Sequence, residues 1–424
     1  MSASVAKTLA LDSDASPASS APVAAAKREL RVLQVFSVLS VGGAETWLMS
    51  LLRYFNKHAE ALPVRVKVDI LLTGGEPSVF DEEAKALGAR LFYLRFTRRN
   101  AAHFSRQFRR LLASGNYDVI HDHQDYVAGL HFLLGLGHLP PIRIAHVHNP
   151  LYQRLQYARG FARRIVRMWG RQGLDRLATH VMGTSRQIVS EYGFDGFNSR
   201  GRETGAAYCG FDVERYAGNR EQVHADLCRE FAWNRSAKII LFVGRLESHE
   251  LFHLGRVMDH KNPAFALEVA RECISRDPSV RLVMAGAGSE KKREFESQVR
   301  KWGLDEKIKL VGIRDDIPRL LLGSDLLLFP SLAEGLGMVV VEAQAAGLPV
   351  LASDTTPREC AVVSEMVKFL SLELPARDWA DQVELLVKGG HAGSIDYLEA
   401  IRQSQFSIEN SATNLLKIYS GGVS

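Results

Sequence analysis

The feature that most constrains this chain is a repeated alternation of short apolar runs with amphipathic stretches. RVLQVFSVL (31–39) has the composition of a buried strand, Gly42-Gly43 forms a turn, and AETWLMSLLRYF (44–55) carries an apolar stripe at helical spacing. The further strand candidates in this half are VKVDILL (66–72), ARLFYL (89–94), YDVIHDH (117–123) and IRIAHVH (142–148). Because strands that alternate with helices form parallel sheets, the first half predicts a doubly wound α/β domain.

The same alternation restarts in the second half. ETGAAYCGFDVERY (203–216) interrupts the pattern with glycines and a turn, and KIILFVGRL (238–246) resumes it. The remaining strand candidates are SVRLVMAG (279–286), IKLVGI (308–313), DLLLFP (325–330) and LPVLASD (348–354), and helical patterns cover 262–274 and 407–419. We predict a disordered tail at 1–28, an N-terminal Rossmann-like domain at 29–208 and a C-terminal one at 209–404, with 405–424 packing back on the first domain.

Composition narrows the class of protein. A chain of 424 residues with 46% hydrophobic and 24% charged residues has the composition of a globular protein with room for two such domains. The four cysteines show no paired spacing, which argues against a disulfide framework or a zinc knuckle and favours the reducing cytoplasm. Since no apolar run reaches about 18 residues, we expect any membrane contact to be peripheral, on the inner face.

Charge is distributed unevenly between the two halves. Residues 31–208 contain 24 Lys and Arg against 14 Asp and Glu, whereas residues 209–424 contain 26 against 31. This asymmetry concerns partners and not fold, and it favours phosphates or an anionic surface as the partner of the first domain.

The segment SLAEGLGMVVVEAQAAGLP (331–349) carries the strongest functional signal. Glu334 follows a predicted strand, and ligands of open parallel sheets bind beyond the carboxyl ends of the strands. Gly335 and Gly337 allow a ligand to approach the backbone, and the amide groups of the helix that begins near Gly337 suit a diphosphate. Glu342, inside an apolar run, can accept both hydroxyls of a ribose, although a buried pair with an arginine would also explain it.

Two cations of the second half add to this chemistry. Arg245 ends the strand FVGRL (242–246), and Lys261 precedes a helix whose first turn contains Pro263. Together they could bind a diphosphate and neutralise a departing nucleotide, although either could instead cap carbonyl groups or face solvent. Arg256, in the segment 247–260 between them, is the alternative to Arg245.

These motifs resemble the retaining GT-B glycosyltransferases of the family 4 type. The resemblance rests on Gly42-Gly43, on Gly244-Arg245 with Lys261, and on two glutamates eight positions apart in EGLGMVVVEAQAAGLPVLASD (334–354), and it covers residues from about 30 to 420. It implies two Rossmann-like domains that face each other across a cleft, a nucleotide-sugar donor, and no metal or other cofactor. The segment 247–260 departs from the family pattern, in which the corresponding link is short.

The resemblance also implies a role for individual residues. Arg245 and Lys261 would bind the diphosphate and Glu342 the ribose, while Glu334 would position the sugar without acting as a base. The other donor-binding residues would be Gly42, Gly43, Ile313, Arg314, Gly335, Leu336 and Gly337. The acceptor would be a glycan or a lipid-linked molecule of cell-surface polysaccharide or lipopolysaccharide biosynthesis. The alternatives are a nucleotide-sugar epimerase on the same fold and a non-catalytic GT-B partner subunit.

Two histidine pairs end predicted strands, HDH (121–123) and HVH (146–148). Strand alternation places both members of a pair on one face, which is compatible with a metal site, but no carboxylate-rich motif accompanies them. We expect no metal. The family resemblance assigns His148 to the donor sugar, as a hydrogen-bond partner or a stabiliser of positive charge. The other three histidines are expected to connect structural elements.

A basic amphipathic segment, QRLQYARGFARRIVRMWGRQGLDRLA (153–178), remains outside this scheme. Arg163, Arg164 and Arg167 alternate with apolar residues at helical spacing, a pattern typical of helices that lie on anionic membranes and also of solvated charged faces. No groove-reading or base-stacking motif favours nucleic acid. We predict that this segment meets an anionic membrane surface or a lipid-linked acceptor.

Overall fold

The computed structural model describes residues 27–151, 161–194, 202–246, 250–253, 256–389 and 396–421. The predicted tail at 1–28 therefore lies almost entirely outside the described residues, as do the first residues of the basic segment at 153–178. The side chains of Arg163 and Arg256 also lie outside the described part of the chain.

Within the described residues, the first sheet has seven parallel strands in the order β3-β2-β1-β4-β5-β6-β7. Its strands are β1 (Glu29–Phe36), β2 (Arg65–Leu72), β3 (Arg90–Tyr93), β4 (Val119–Asp122), β5 (Ile142–Val147), β6 (His180–Gly183) and β7 (Glu203–Ala206). Helices cover both faces: α1 (Gly43–Lys57), α2 (Asp81–Ala86), α3 (Ala101–Gly115), α4 (Tyr126–Leu134), α5 (Phe161–Leu177) and α6 (Arg186–Glu191). The predicted doubly wound topology is confirmed.

In the part of the chain that the structure describes, the second sheet has six parallel strands in the order β12-β11-β8-β13-β14-β15. These are β8 (Lys238–Val243), β11 (Val280–Ala285), β12 (Ile308–Gly312), β13 (Leu326–Phe329), β14 (Val350–Ser353) and β15 (Val367–Leu370), while β9 (Glu250–His253) and β10 (Arg256–Asp259) form a separate hairpin. The helices are α7 (Arg220–Glu230), α8 (Pro263–Arg276), α9 (Ser289–Lys301), α10 (Ile317–Gly323), α11 (Met338–Ala345), α12 (Ala376–Gly389), α13 (Tyr397–Gln403) and α14 (Ile408–Tyr419).

The strands are short apolar runs because both faces of each sheet are covered. In β13 and β14 every residue is buried, and helices pack on either side to form two separate cores. This explains why the runs lack the strict polar alternation of a half-exposed strand.

Three elements depart from the sequence-based prediction. The segment 203–216, interpreted as a break, begins with β7 at the edge of the first sheet. Its four residues are all half-buried, so the strand lacks the apolar run that marks the central strands. The segment 247–260 contributes the β9–β10 hairpin, and β15 was not recognised in the sequence.

The last helix, α14, packs against the first sheet. Leu415 and Leu416 lie in a core with Trp47 of α1 and with β1, while the chain enters α14 beside Phe211, whose backbone oxygen accepts a hydrogen bond from the amide of Ile408 at 2.9 Å. Helix α14 thus packs on the domain formed by the first sheet.

Candidate active site

The carboxyl edge of the second sheet positions the predicted donor-binding loop. After β13, the chain passes through Glu334, Gly335 and Leu336 to Gly337, which begins α11 in the left-handed region with φ of 88°. A Cβ atom at Gly337 would lie 3.2 Å from both the Phe329 ring and the Thr356 side chain, so space and backbone both favour glycine. Leu336 is 3% exposed and anchors the loop in the core.

Lys261 and Glu334 form the central ion pair of this edge. The Lys261 Nζ atom lies 2.6 Å from Glu334 Oε1, and the two side chains are only 20% and 9% exposed. The Nζ atom also lies 5.4 Å from the centre of the Phe329 ring. A nearly buried pair of this kind is costly to break, because the remaining charge loses its partner without regaining full hydration. The ammonium group is therefore fixed beside the loop that contains Gly335.

Glu342 lies on α11, two turns beyond Glu334. Burial raises the pKa of its carboxyl group to about 7, and a hydrogen bond from Tyr216 and the charge of Arg215 oppose this shift. The residue as a whole is half-buried, and the hydrogen bond and the arginine compensate the charge of the carboxylate only in part. Among the described residues, no arginine forms a salt bridge with Glu342. The buried Glu–Arg pair that the sequence left open as an alternative is therefore not seen there.

The first turn of α1 faces the second domain. A Cβ atom at Gly42 would lie 2.4 Å from Glu45 Oε2, so the Glu45 carboxylate folds over this glycine, whereas Gly43 has open space. Burial raises the pKa of Glu45, and the charge of Arg245 lowers it. Glu45 and the exposed Arg245 therefore face each other across the cleft. Glu45 was not among the residues predicted from the sequence.

His148 follows β5 and touches the predicted donor-binding loop. A Cβ atom at Gly335 would lie 2.1 Å from the backbone oxygen of His148 and 2.8 Å from the Thr184 hydroxyl, so the two domains are in direct contact here. The Ser185 hydroxyl donates a hydrogen bond of 2.7 Å to the Gly335 carbonyl oxygen. The His148 amide donates to Asp125 Oδ1 at 2.9 Å, and burial lowers the pKa of the ring to about 4. Above this pH the imidazole is neutral.

Glu359 provides a second contact between the domains. Its carboxylate accepts hydrogen bonds from the backbone amides of Arg186 and Gln187 at 3.0 and 3.1 Å, and from the Tyr208 hydroxyl at 2.5 Å. The two amides open α6, where the positive end of the helix dipole favours a carboxylate. This contact holds the domains together at one side of the cleft.

The two residues predicted to border the nucleobase, Ile313 and Arg314, follow strand β12. Ile313 is 69% exposed at the end of β12. The Arg314 guanidinium forms ion pairs with Asp316 at 2.7 Å and with Glu230 at 2.8 Å. The backbone of Arg314 is therefore the part that is available for the predicted contact with the nucleobase.

Three histidines lie close enough for a metal ion. His121, His123 and His146 are buried, and they offer ring nitrogens within 4.8 Å of one another. Both ring nitrogens of His121 and of His123 already hydrogen-bond other side chains, however, so a metal would have to displace these bonds. The expectation of no metal stays a prediction. The direct contact of His123 with His148 was not expected from the sequence.

The two halves of the chain match two family models. Residues 42–202 match the glycosyl transferase 4-like domain, and residues 226–400 match glycosyl transferases group 1. The chain is a group 1 glycosyltransferase of the GT-B type. The two matches meet across the cleft that holds Lys261, Glu334 and His148.

Two proteins named as glycosyltransferases and one solved structure resemble this chain over most of its length. EpsF of Bacillus subtilis, named as a glycosyltransferase, is 28% identical over 92% of this chain and 96% of its own. The capsular polysaccharide biosynthesis glycosyltransferase CapH of Staphylococcus aureus is 23% identical over 84% of this chain and 91% of its own. The crystal structure of HepE from Anabaena in complex with UDP-glucose shares the fold with a TM-score of 0.69 at 16% identity, covering 92% of this chain and 100% of that one.

Among the described residues of this glycosyltransferase, no helix is both long enough and apolar enough to span a membrane.

Proposed function

We propose that this glycosyltransferase moves a sugar, with retention of anomeric configuration, from a nucleoside diphosphate sugar to a glycan or lipid-linked acceptor. The observation that carries the proposal is the direct contact of the Gly335 loop, with its Lys261–Glu334 pair, against His148 of the other domain. A donor bound at the carboxyl edge of the second sheet would place its sugar in this contact region, within reach of both domains.

The donor would be held through its nucleotide. Lys261 and Arg245 neutralise the diphosphate, the α11 amides near Gly337 donate to its oxygens, and Glu342 accepts the ribose hydroxyls. The backbone at Ile313 and Arg314 borders the nucleobase of the donor. HepE, which shares this fold, binds UDP-glucose, and this supports a nucleotide-sugar donor.

The pairing of Glu334 with Lys261 supports a retaining mechanism. Its carboxylate is paired with Lys261, so it is a poor nucleophile and a poor base, and it positions the sugar instead. The leaving phosphate oxygen removes the proton of the acceptor hydroxyl, which attacks the anomeric carbon from the same face. The cations at the loop stabilise the departing diphosphate, and no metal is required.

A thermal-shift screen of nucleoside diphosphates tests donor binding first, since a ligand that binds the folded state raises its melting temperature. Product NMR with the donor that binds then reads the anomeric configuration. Inversion would refute retention, and conversion of the donor without an acceptor would favour an epimerase. Activity that is unchanged in excess EDTA supports transfer without a metal.

We also propose that α5 meets an anionic membrane that carries the acceptor. Ile165, Met168 and Trp169 are 37%, 59% and 48% exposed, and they lie beside Arg164 and Arg167 on the same helix. Apolar side chains can enter the interface while each arginine contributes about 1 kcal/mol near anionic lipid. The name of CapH, a glycosyltransferase of capsular polysaccharide biosynthesis, supports a cell-surface acceptor, which we place with a cytoplasmic site at the inner membrane face.

Liposome flotation tests this surface. The protein should float with anionic vesicles and not with neutral ones, and Arg164→Glu with Arg167→Glu should abolish flotation. Equal binding to both kinds of vesicle, or to neither, would refute the proposal. The matched control is Arg300→Glu with Lys301→Glu, two exposed residues at the end of α9 in the second domain, which should float as the wild type does.

A further inference from the structure

A chain of buried hydrogen bonds connects the candidate catalytic histidine to the last helix. His148 Nε2 lies 2.9 Å from His123 Nδ1, and His123 Nε2 lies 2.8 Å from Gln34 Oε1. The Gln34 amide nitrogen donates to the Tyr419 hydroxyl at 2.8 Å, and this hydroxyl lies 2.7 Å from His121 Nδ1. Gln34 is the one polar residue inside the apolar run of β1 from Val32 onward, and it is 3% exposed.

The direction of each bond follows from Gln34. Its oxygen can only accept, so His123 must carry a proton on Nε2. Burial keeps the pKa of His123 well below its usual value, so the ring is neutral and its Nδ1 has a lone pair. This lone pair accepts from His148, whose pKa of about 4 also makes it neutral, and the single proton of His148 is therefore on Nε2.

We propose that Gln34, acting through His123, holds His148 in the tautomer that has its proton on Nε2 and a lone pair on Nδ1. Gln34 and His123 are thus positioning residues for His148. This inference rests on the proposed function only in assigning the Nδ1 lone pair to the donor sugar. There the Nδ1 lone pair would accept a hydrogen bond from a sugar hydroxyl. In the opposite tautomer Nδ1 carries the proton and could not accept this bond.

The surroundings keep the chain of bonds in place. Phe36 stacks on the His123 ring with 4.1 Å between centres, and Trp47 lies edge-on to His121, His123 and His146. Trp47 donates its own indole proton to Ser411 of α14 at 3.0 Å, so it packs against the histidines without bonding their nitrogens. Burial raises the pKa of Tyr419, whose hydroxyl stays protonated and can accept from Gln34 while donating to His121.

Nitrogen-15 NMR of histidine-labelled protein without substrates measures the tautomer directly. A protonated and an unprotonated ring nitrogen differ in chemical shift, and the signals of His148 are assigned by their loss in His148→Gln. At pH 7.5 the wild-type His148 should have a protonated Nε2 and an unprotonated Nδ1. The opposite pattern would overturn the proposal.

Two substitutions of Gln34 test the causal link. In Gln34→Glu the carboxylate stabilises a doubly protonated His123, which then donates to His148 Nε2, so the proton of His148 should move to Nδ1. In Gln34→Met, which introduces no buried charge, His123 loses its acceptor, and His148 should show both tautomers. The control Trp47→Phe disturbs the packing of the same rings and should keep the wild-type pattern. Unchanged His148 signals in Gln34→Met would refute the link.

Kinetics separates this inference from the proposed function. With an active donor, Gln34→Met should lower kcat about tenfold, the effect of one hydrogen bond made in the transition state, and change the donor KM much less. A mixed tautomer with an unchanged kcat would refute the positioning role while transferase activity stands. If no donor is active at all, the proposed function fails, and the NMR measurement still decides the tautomer.

Discussion

Glu342 offers a test in which stability and donor binding should change in opposite directions. Burial raises the pKa of its carboxyl group from 4.5 to about 7. At about 1.4 kcal/mol per pKa unit, ionised Glu342 costs the folded state about 3 kcal/mol, as an upper value because the residue is half-buried. The cost is absent below pH 4.5, grows between pH 4.5 and 7, and is constant above pH 7. Glu342→Gln should therefore raise the melting temperature at pH 8 and leave it nearly unchanged at pH 4.5.

Donor binding should become weaker in Glu342→Gln at pH 8, although the fold becomes more stable. The ribose hydroxyls require the ionised carboxylate, so the affinity of the wild-type protein for the active nucleoside diphosphate should fall about tenfold per pH unit below pH 7 and level off above it. Glu342→Gln should weaken binding at pH 8 by about 1–3 kcal/mol and remove this pH dependence. Isothermal titration calorimetry between pH 5.5 and 8.5, with parallel thermal melts, measures both effects.

The control is Glu373→Gln, which changes an exposed glutamate of the same domain and should alter neither quantity. A variant that is stabilised at pH 8 but binds the nucleotide normally would show that Glu342 does not contact the ribose. A variant that is destabilised at pH 8 would refute the argument from burial itself.

Three further predictions concern the contacts across the cleft. Glu334→Ala should lower kcat more than it raises the donor KM in steady-state assays, because its contacts matter most as the sugar moves; a normal kcat would remove it from the site. Gly335→Ala should abolish transfer, since the added Cβ would lie 2.1 Å from the His148 oxygen, whereas Gly205→Ala, which meets nothing within 4 Å, should be active; equal activities would refute this contact. Glu359→Ala should enlarge the radius of gyration of the nucleotide-free protein in small-angle scattering, because the variant loses a contact between the domains. An unchanged scattering curve would show that Glu359 is not needed to hold the domains together.

The sequence predicted strands correctly where several consecutive residues are buried. A strand covered on both faces has to be a short apolar run, and β8, β11, β13 and β14 were recognised for this reason. The edge strand β7 was missed because it is only half-buried, so its composition resembles that of a turn.

Local spacing also placed the loop after β13 at the ligand-binding edge. Glu334, Gly335 and Gly337 lie within four residues of one another, and the helix that follows them is short and apolar. Their position at the carboxyl end of a parallel strand is a consequence of topology, which the alternation of strands and helices determines.

The contacts of these residues depended on the tertiary structure. Glu334 is paired with Lys261 across 73 positions, and Gln34 bonds Tyr419 across 385. Both pairs join side chains that are far apart in the chain, and no local pattern shows which side chain will meet which. The glutamine in an apolar strand and the two histidine pairs were the sequence signals of this network, and only the fold shows that Gln34 contacts His123.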